Sequence, residues 1–233
     1  MPNVYRRRRY ISFLVSFAVL VVILIVNGAL SAPTQTTNQS QKSTTGAVAL
    51  ASLQKLAVKG RAPKTHYTRQ QFGDGWATTA GCDTRNIILH RDLTGTVVDK
   101  SCNVVSGTLD DPYTGKNIQF KRSASTSGDV QIDHVVALSD TWQKGAQQLS
   151  KEQRIALAND PLELLAVDGP ANQQKSDGDA ATWLPSYKPF RCQYVARQIA
   201  IKQKYSLWVT QAEKDAITNV LSSCPKQQLP ANI

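Results

Sequence analysis

Val130-Gln131-Ile132-Asp133-His134-Val135-Val136, then Leu162-Glu163-Leu164-Leu165-Ala166-Val167, then Ala171-Asn172-Gln173-Gln174-Lys175-Ser176-Asp177 are the segments whose reading decides the fold. The first two are short, rich in Val, Ile and Leu, and each predicts a strand, the second mostly buried. Asp133 and His134 stand at the exit of the first strand. Neighbouring side chains on a strand point to opposite faces, so these two can serve one site only if it lies at the strand's edge or the strand end is distorted.

Working outward, Ser150-Lys151-Glu152-Gln153 carries a capping-box pattern that opens a helix running to about Ala158. Asp177 to Leu184 can start another, stopped by Pro185. Phe190 to Tyr205 predicts a helix with Tyr194, Val195 and Ile199 on one side, and Thr210-x-x-Glu213 caps a last one. Upstream, Asp83 or Thr84 can cap a helix carrying Ile87, Ile88 and Leu89. Short strands follow near Thr96 to Val98 and Asn103 to Val105, then a turn at Asp110 to Gly115 and a strand at Ile118 to Phe120. The order is mixed α+β with C-terminal helices, without the regular alternation of a doubly wound sheet.

Of the 233 residues, 1–32 read as a signal peptide or N-terminal membrane anchor: Arg6 to Arg9 abut the apolar run Ile11 to Val26, and Ala29-Leu30-Ser31 offers small residues to a signal peptidase. Residues 33–65 read as a polar linker, with a possible short helix at Ala47 to Val58. That leaves 66–224 for one domain and 225–233 for a tail. A hydrophobic fraction of 41% excludes a disordered chain. Beyond the targeting segment 23 Lys and Arg face 17 acids, a basic balance suited to a phosphate backbone, an anionic lipid or an acidic polymer.

Cys82, Cys102, Cys192 and Cys224 all follow the apolar run, and none forms a close Cys-x-x-Cys pair. Two disulfides in an oxidising compartment are therefore expected, rather than zinc. Three pairings are open; Cys82 with Cys102 and Cys192 with Cys224 is favoured, because each then closes a compact loop.

Hydrolysis of a phosphodiester needs a water nucleophile, a base and positive charge on the developing phosphorane. His134, with an ordinary pKa near 6.5, suits the base, and Asp133 supplies a carboxylate. His66 and His90 stand alone in sequence and are left out of the site. Taken together, the three opening segments closely resemble the HNH endonucleases, specifically a secreted bacterial branch related to the HNH domain of Gmr-type modification-dependent restriction enzymes. The resemblance continues through Arg85-Asn86-x-x-Leu89-x-Arg91-Asp92-Leu93, Asp111-Pro112-Tyr113-Thr114-Gly115, Trp183-Leu184-Pro185 and Arg191-Cys192-x-Tyr194-Val195, and so covers most of Gly75 to Cys224.

The resemblance implies a ββα-metal finger in which Asp133 and Asn172 hold one divalent metal, His134 is the base and Lys175 contacts a phosphate of DNA. Glu163 stands where the family's middle Asn braces the loop, and can replace its hydrogen bonds only in part. Oxygen ligands favour Mg²⁺ or Mn²⁺. No protein partner is evident, and membrane contact is expected only through the N-terminal segment. The rival expectation is an exported protein that holds nucleic acid or another anionic polymer on this fold without cutting it. A wall-degrading hydrolase fits less well, since neither paired carboxylates nor a Cys and His pair stands out.

Overall fold

Three small antiparallel sheets, rather than one continuous sheet, organise the described residues. The structure is a computed structural model and describes residues 48–230. In order these form α1 (Ala49–Leu53), β1 (Thr78–Thr79), β2 (Cys82–Asp83), α2 (Thr84–Asp92), β3 (Thr94–Val98), β4 (Val104–Asp110) and β5 (Asn117–Lys121). There follow β6 (Val130–His134), α3 (Leu138–Gln143), α4 (Lys151–Ala158), β7 (Leu164–Asp168), α5 (Gly169–Lys175), α6 (Arg191–Lys204) and α7 (Gln211–Ser222). The class is α+β, as the order of predicted elements requires.

Local chemistry sets most of the helix starts. Asp83 caps α2 by accepting from the Asn86 amide at 2.7 Å. Ser150 with Gln153 and Thr210 with Glu213 close complete capping boxes on α4 and α7. Each such cap contributes about 1 kcal/mol by satisfying amides that the helix leaves unpaired.

Strands β6 and β7 pair antiparallel, with Asp133 opposite Leu165 and His134 opposite Leu164. The chain then turns directly into α5, whose N-terminus is capped by Asp168, accepting from Ala171 N at 2.8 Å, and which packs back on both strands. The β3-β4-β5 meander shares a core with them, formed by Leu89, Leu93, Val104, Leu109, Phe120, Val130 and Ala166. A larger core joins α1, α6 and α7 through Leu53, Tyr194, Val195, Ile199, Ile217 and Leu221. Each large side chain buried there contributes roughly 1.5–3 kcal/mol.

The folded unit starts earlier than the linker reading allows. Ala49 and Leu53 are fully buried in the larger core, because the apolar spacing there is an amphipathic turn with a partner rather than a tether. Arg61, also assigned to the linker, joins a buried ion network: its guanidinium lies 2.7 Å from both Asp140 and Asp179. Lys144, wholly buried, meets Asp140, Asp179 and Glu213 at 2.7–2.8 Å, and Lys202 meets Glu213 at 3.0 Å. Three cations and three anions thus balance. At the other end the expected tail is tied down, with Gln228 bridging to Val48 and Leu229 packed on the core.

Two further differences concern helices. Asp177 to Leu184 forms turns instead of a helix, with the Asp179 carboxylate held by Lys144 and by the Ala181 amide. Helix α3 was not anticipated; its N-terminus has no capping side chain. Cys82 pairs with Cys102 and Cys192 with Cys224, across Cα separations of 5.4 and 6.5 Å. Each crosslink removes unfolded-chain entropy worth about 3 kcal/mol. The targeting segment and the polar stretch Thr34 to Thr45 lie outside the described residues. Among the described residues no helix is long and apolar enough to cross a membrane.

Candidate active site

A cleft of about 380 Å³ opens at the exit of β6, lined by Asp133, His134, Ser139, Asn172 and Asp177 together with Lys64, Tyr67 and Arg69. Asp133 and His134 leave the strand in different directions, as a pleated strand requires, yet both reach this cleft because it lies at the strand's end. The distortion that the sequence left open is unnecessary.

His134 points toward α4. Its Nε2 lies 2.9 Å from the carbonyl oxygen of Ala158, the last residue of that helix. A carbonyl only accepts, so Nε2 carries the proton and Nδ1 keeps its lone pair. The ring stacks on Trp76 with planes 6° apart and centroids 5.6 Å apart. Burial, then the positive charge of Arg69, with a smaller push from Lys175, depress the imidazole to about 3, against the Ala158 hydrogen bond. The ordinary value of 6.5 expected from residue type does not hold. The ring is neutral throughout the physiological range, in the form that can take a proton from water.

Asp133 points the other way. Lys175 Nζ donates to its Oδ1 at 2.9 Å, and the buried Tyr113 hydroxyl donates to Oδ2. Burial nevertheless raises the Asp133 carboxyl above its usual range, outweighing Lys175 and Tyr113. Burial, reinforced by Asp133, also lifts Tyr113 far above the usual phenol range, so it stays a donor. Lys175 donates as well to the carbonyl oxygen of His134 at 2.8 Å, and its side chain is fully buried. It is therefore not placed to meet a phosphate as the resemblance implied. Its four methylenes run through the core and its ammonium is spent on positioning Asp133.

Asn172, in the second turn of α5, donates from Nδ2 to Gln131 Oε1 at 2.9 Å, which leaves Oδ1 as the amide atom able to accept. Glu163 is fully buried, and both its carboxylate oxygens lie 3.3 Å from the Val136 amide, so it does brace the strand exit. Burial holds its carboxyl well above the usual range, against that hydrogen bond. His90 hydrogen bonds Thr96 at 2.9 Å and does not line the cleft; neither does His66.

A divalent cation is compatible with this set. Asp133 uses one lone pair on each oxygen and has others left, Asn172 Oδ1 is available, and both are hard oxygens. Among the described residues no group of three His, Cys, Asp or Glu side chains converges. A metal would therefore rest on two protein oxygens and complete its shell with water and phosphate, as Mg²⁺ commonly does.

A second hollow of about 170 Å³ lies beside His134, lined by Arg69, Phe72, Gly73, Gly75, Trp76, Leu138 and Ala158. Arg69, Trp76 and Gln131 escaped the sequence reading. Arg69 and Trp76 come from a turn some sixty residues upstream, and only the fold brings them to the histidine. Tyr113 had a signal, since it lies in a stretch that carries the resemblance, but it was read only as part of a turn.

Comparison with known proteins bears on this arrangement. A curated protein of Arthroderma benhamiae, described as an uncharacterized secreted protein, is 38% identical over 172 residues, covering 72% of this chain and 81% of that protein. Secretion of that relative and the two disulfides agree with export, and its fungal source shows that similar sequences are not confined to bacteria. No solved structure matches the chain. The family model of the GmrSD restriction endonucleases, C-terminal domain, matches residues 83–220, which include β6, β7 and α5. More than half the chain is matched, and the protein belongs to the family of GmrSD restriction endonuclease C-terminal domains, a nuclease-related family.

Proposed function

We propose that the protein is an exported endonuclease that hydrolyses phosphodiester bonds of DNA, with His134 as general base and one Mg²⁺ or Mn²⁺ held by Asp133 and Asn172. The observation that carries this reading is the hydrogen bond from His134 Nε2 to the Ala158 carbonyl. It sets the tautomer of the neutral ring, with the proton on Nε2 and Nδ1 as the acceptor, the form a base needs before it removes a proton.

On this reading a water beside Nδ1 attacks phosphorus in line while its proton passes to the imidazole, and the 3′ oxygen leaves, so the products carry a 5′ phosphate. A bound divalent cation supplies positive charge to the leaving oxygen and the phosphorane. The chain's own residues hold the geometry. Lys175 and Tyr113 orient Asp133, Gln131 orients Asn172, and Glu163 ties the strand exit at Val136. Such a base contributes about 10² to 10⁴ in rate.

Plasmid cleavage by the purified protein in Mg²⁺, in Mn²⁺ and with a chelator tests the proposal. Cleavage with either metal and none with chelator is expected. Retarded but intact plasmid under every condition would instead support the binding-only alternative.

A further inference from the structure

Arg69 has a position that no other arginine shares. Among the described residues every other arginine donates to an acceptor within the protein: Arg61 and Arg91 to carboxylates, and the rest to backbone carbonyls. Arg69 has no such bond, is exposed, and lines both hollows that flank His134. Its neighbours in the cleft are already matched, Asp177 with Lys64 at 3.1 Å and Asp133 with Lys175 at 2.9 Å. Among the described residues, then, the Arg69 guanidinium beside the base has neither a hydrogen-bond nor an ion-pair partner.

Its backbone is not free to wander. Residues Arg69–Phe72 form a 3₁₀ turn, Phe72 is buried against Trp142, and Arg154 holds the Gln71 carbonyl at 3.0 Å. A planar fork with five donors, anchored beside a neutral base and facing open space on either side, matches the non-bridging oxygens of a phosphate. The hollow on one side offers the half-buried Trp76, an apolar ring suited to a sugar or base; the other offers Asp133 and Asn172.

We propose that Arg69 grips the scissile phosphate of a nucleic-acid strand laid across His134, with the nucleotides on either side in the two hollows. This rests on the reading of His134 as base. The grip places phosphorus within reach of the water at Nδ1 and offsets charge on the phosphorane. The turn that supplies it lies before residue 83, outside the portion that the family model matches.

The test compares the parent full chain with Arg69→Ala, Arg69→Lys, His134→Ala and the remote surface control Lys121→Ala, using a fluorescein-labelled DNA duplex. Cleavage is measured with Mg²⁺, and binding across a salt series with chelator. Arg69→Ala is expected to lower kcat by about a hundredfold or more while changing KM much less, since oxyanion donors act chiefly in the transition state. The slope of log affinity against log salt should fall by about 0.9, the contribution of one phosphate contact. Arg69→Lys should recover the slope but only part of kcat, because it restores charge without the fork. Lys121→Ala and all melting temperatures should match the parent. Cleavage by Arg69→Ala within threefold of the parent together with an unchanged slope would overturn the proposal, and loss of cleavage by His134→Ala in that experiment would leave the general-base reading standing. If the parent cuts no DNA under any metal, that reading fails by itself, and the salt slope still decides whether Arg69 contacts phosphate.

Discussion

Lys175 reaches back from the last turn of α5 to Asp133, its ammonium 2.9 Å from one carboxylate oxygen and 2.8 Å from the carbonyl of His134. One buried cation thus ties the helix to two consecutive residues at the strand exit, the proposed metal ligand and the proposed base.

Replacing Lys175 by Met keeps the length of its stem and removes the charge. A buried partner left alone costs about 3–5 kcal/mol, whereas a lysine that merely met phosphate from solvent would cost under about 1 kcal/mol. Urea denaturation should therefore show a loss near the larger figure for Lys175→Met. Parental stability with weakened DNA binding would return Lys175 to the phosphate role that the resemblance implied.

Glu163 is expected to tolerate replacement by Gln, which keeps an oxygen for the Val136 amide. The folded carboxyl lies well above its usual range through burial, while the unfolded one ionises near 4.3. The unfolded state therefore loses its proton first as pH rises, so the acid reduces stability above about pH 4. The Gln variant should gain on the parent from that pH upward and retain cleavage. Glu163→Leu, which leaves the amide unpaired, should lose about 1–3 kcal/mol. A Gln variant less stable than the parent at pH 7 would show that the site needs the ionised acid.

The buried ion network should confine stability to a window of pH. Burial opposes ionisation of Asp179, but the hydrogen bond and charge of Lys144, with Arg61, hold its carboxyl below the usual range. Its contribution is present above about pH 4 and lost as pH falls through the folded value. Lys144 is raised despite burial by Asp140 and Glu213, so its contribution is present below about pH 10.5 and lost as pH rises through the folded value. Denaturation of the parent and of Lys144→Met from pH 3 to 11 should show the parent's advantage greatest between these limits and shrinking beyond either. Lys144→Met should be less stable by about 3–5 kcal/mol at pH 7. Equal stability of the two proteins at pH 7 would contradict this account of the network.

Much of the fold was legible because its signals are local. Ser150 with Gln153 and Thr210 with Glu213 mark two helix starts within four residues each, and the aliphatic runs mark β6 and β7. That Asp133, His134 and Asn172 line one cleft was implied by the resemblance alone, since Asn172 sits on the helix after β7 and nothing local in the sequence brings it to the end of β6. What was not legible depends on distant partners. Lys144, Lys175 and Lys202 look like surface residues until the fold surrounds them with carboxylates and carbonyls. Helix α3 lacks a cap and draws its support from Trp142 packed on Phe72. The depressed pKa of His134 depends on burial and on Arg69, 65 positions away, which no reading of the Asp-His pair reveals.

The central claim is that His134 takes the proton from the attacking water, and single-turnover cleavage of plasmid by His134→Ala tests it most directly. The account predicts a rate at least about a hundredfold below the parent in saturating Mg²⁺, with circular dichroism and DNA affinity unchanged and with His66→Ala and His90→Ala at the parental rate. Cleavage by His134→Ala within tenfold of the parent, in a folded protein that binds DNA normally, would contradict the assignment and place the base elsewhere.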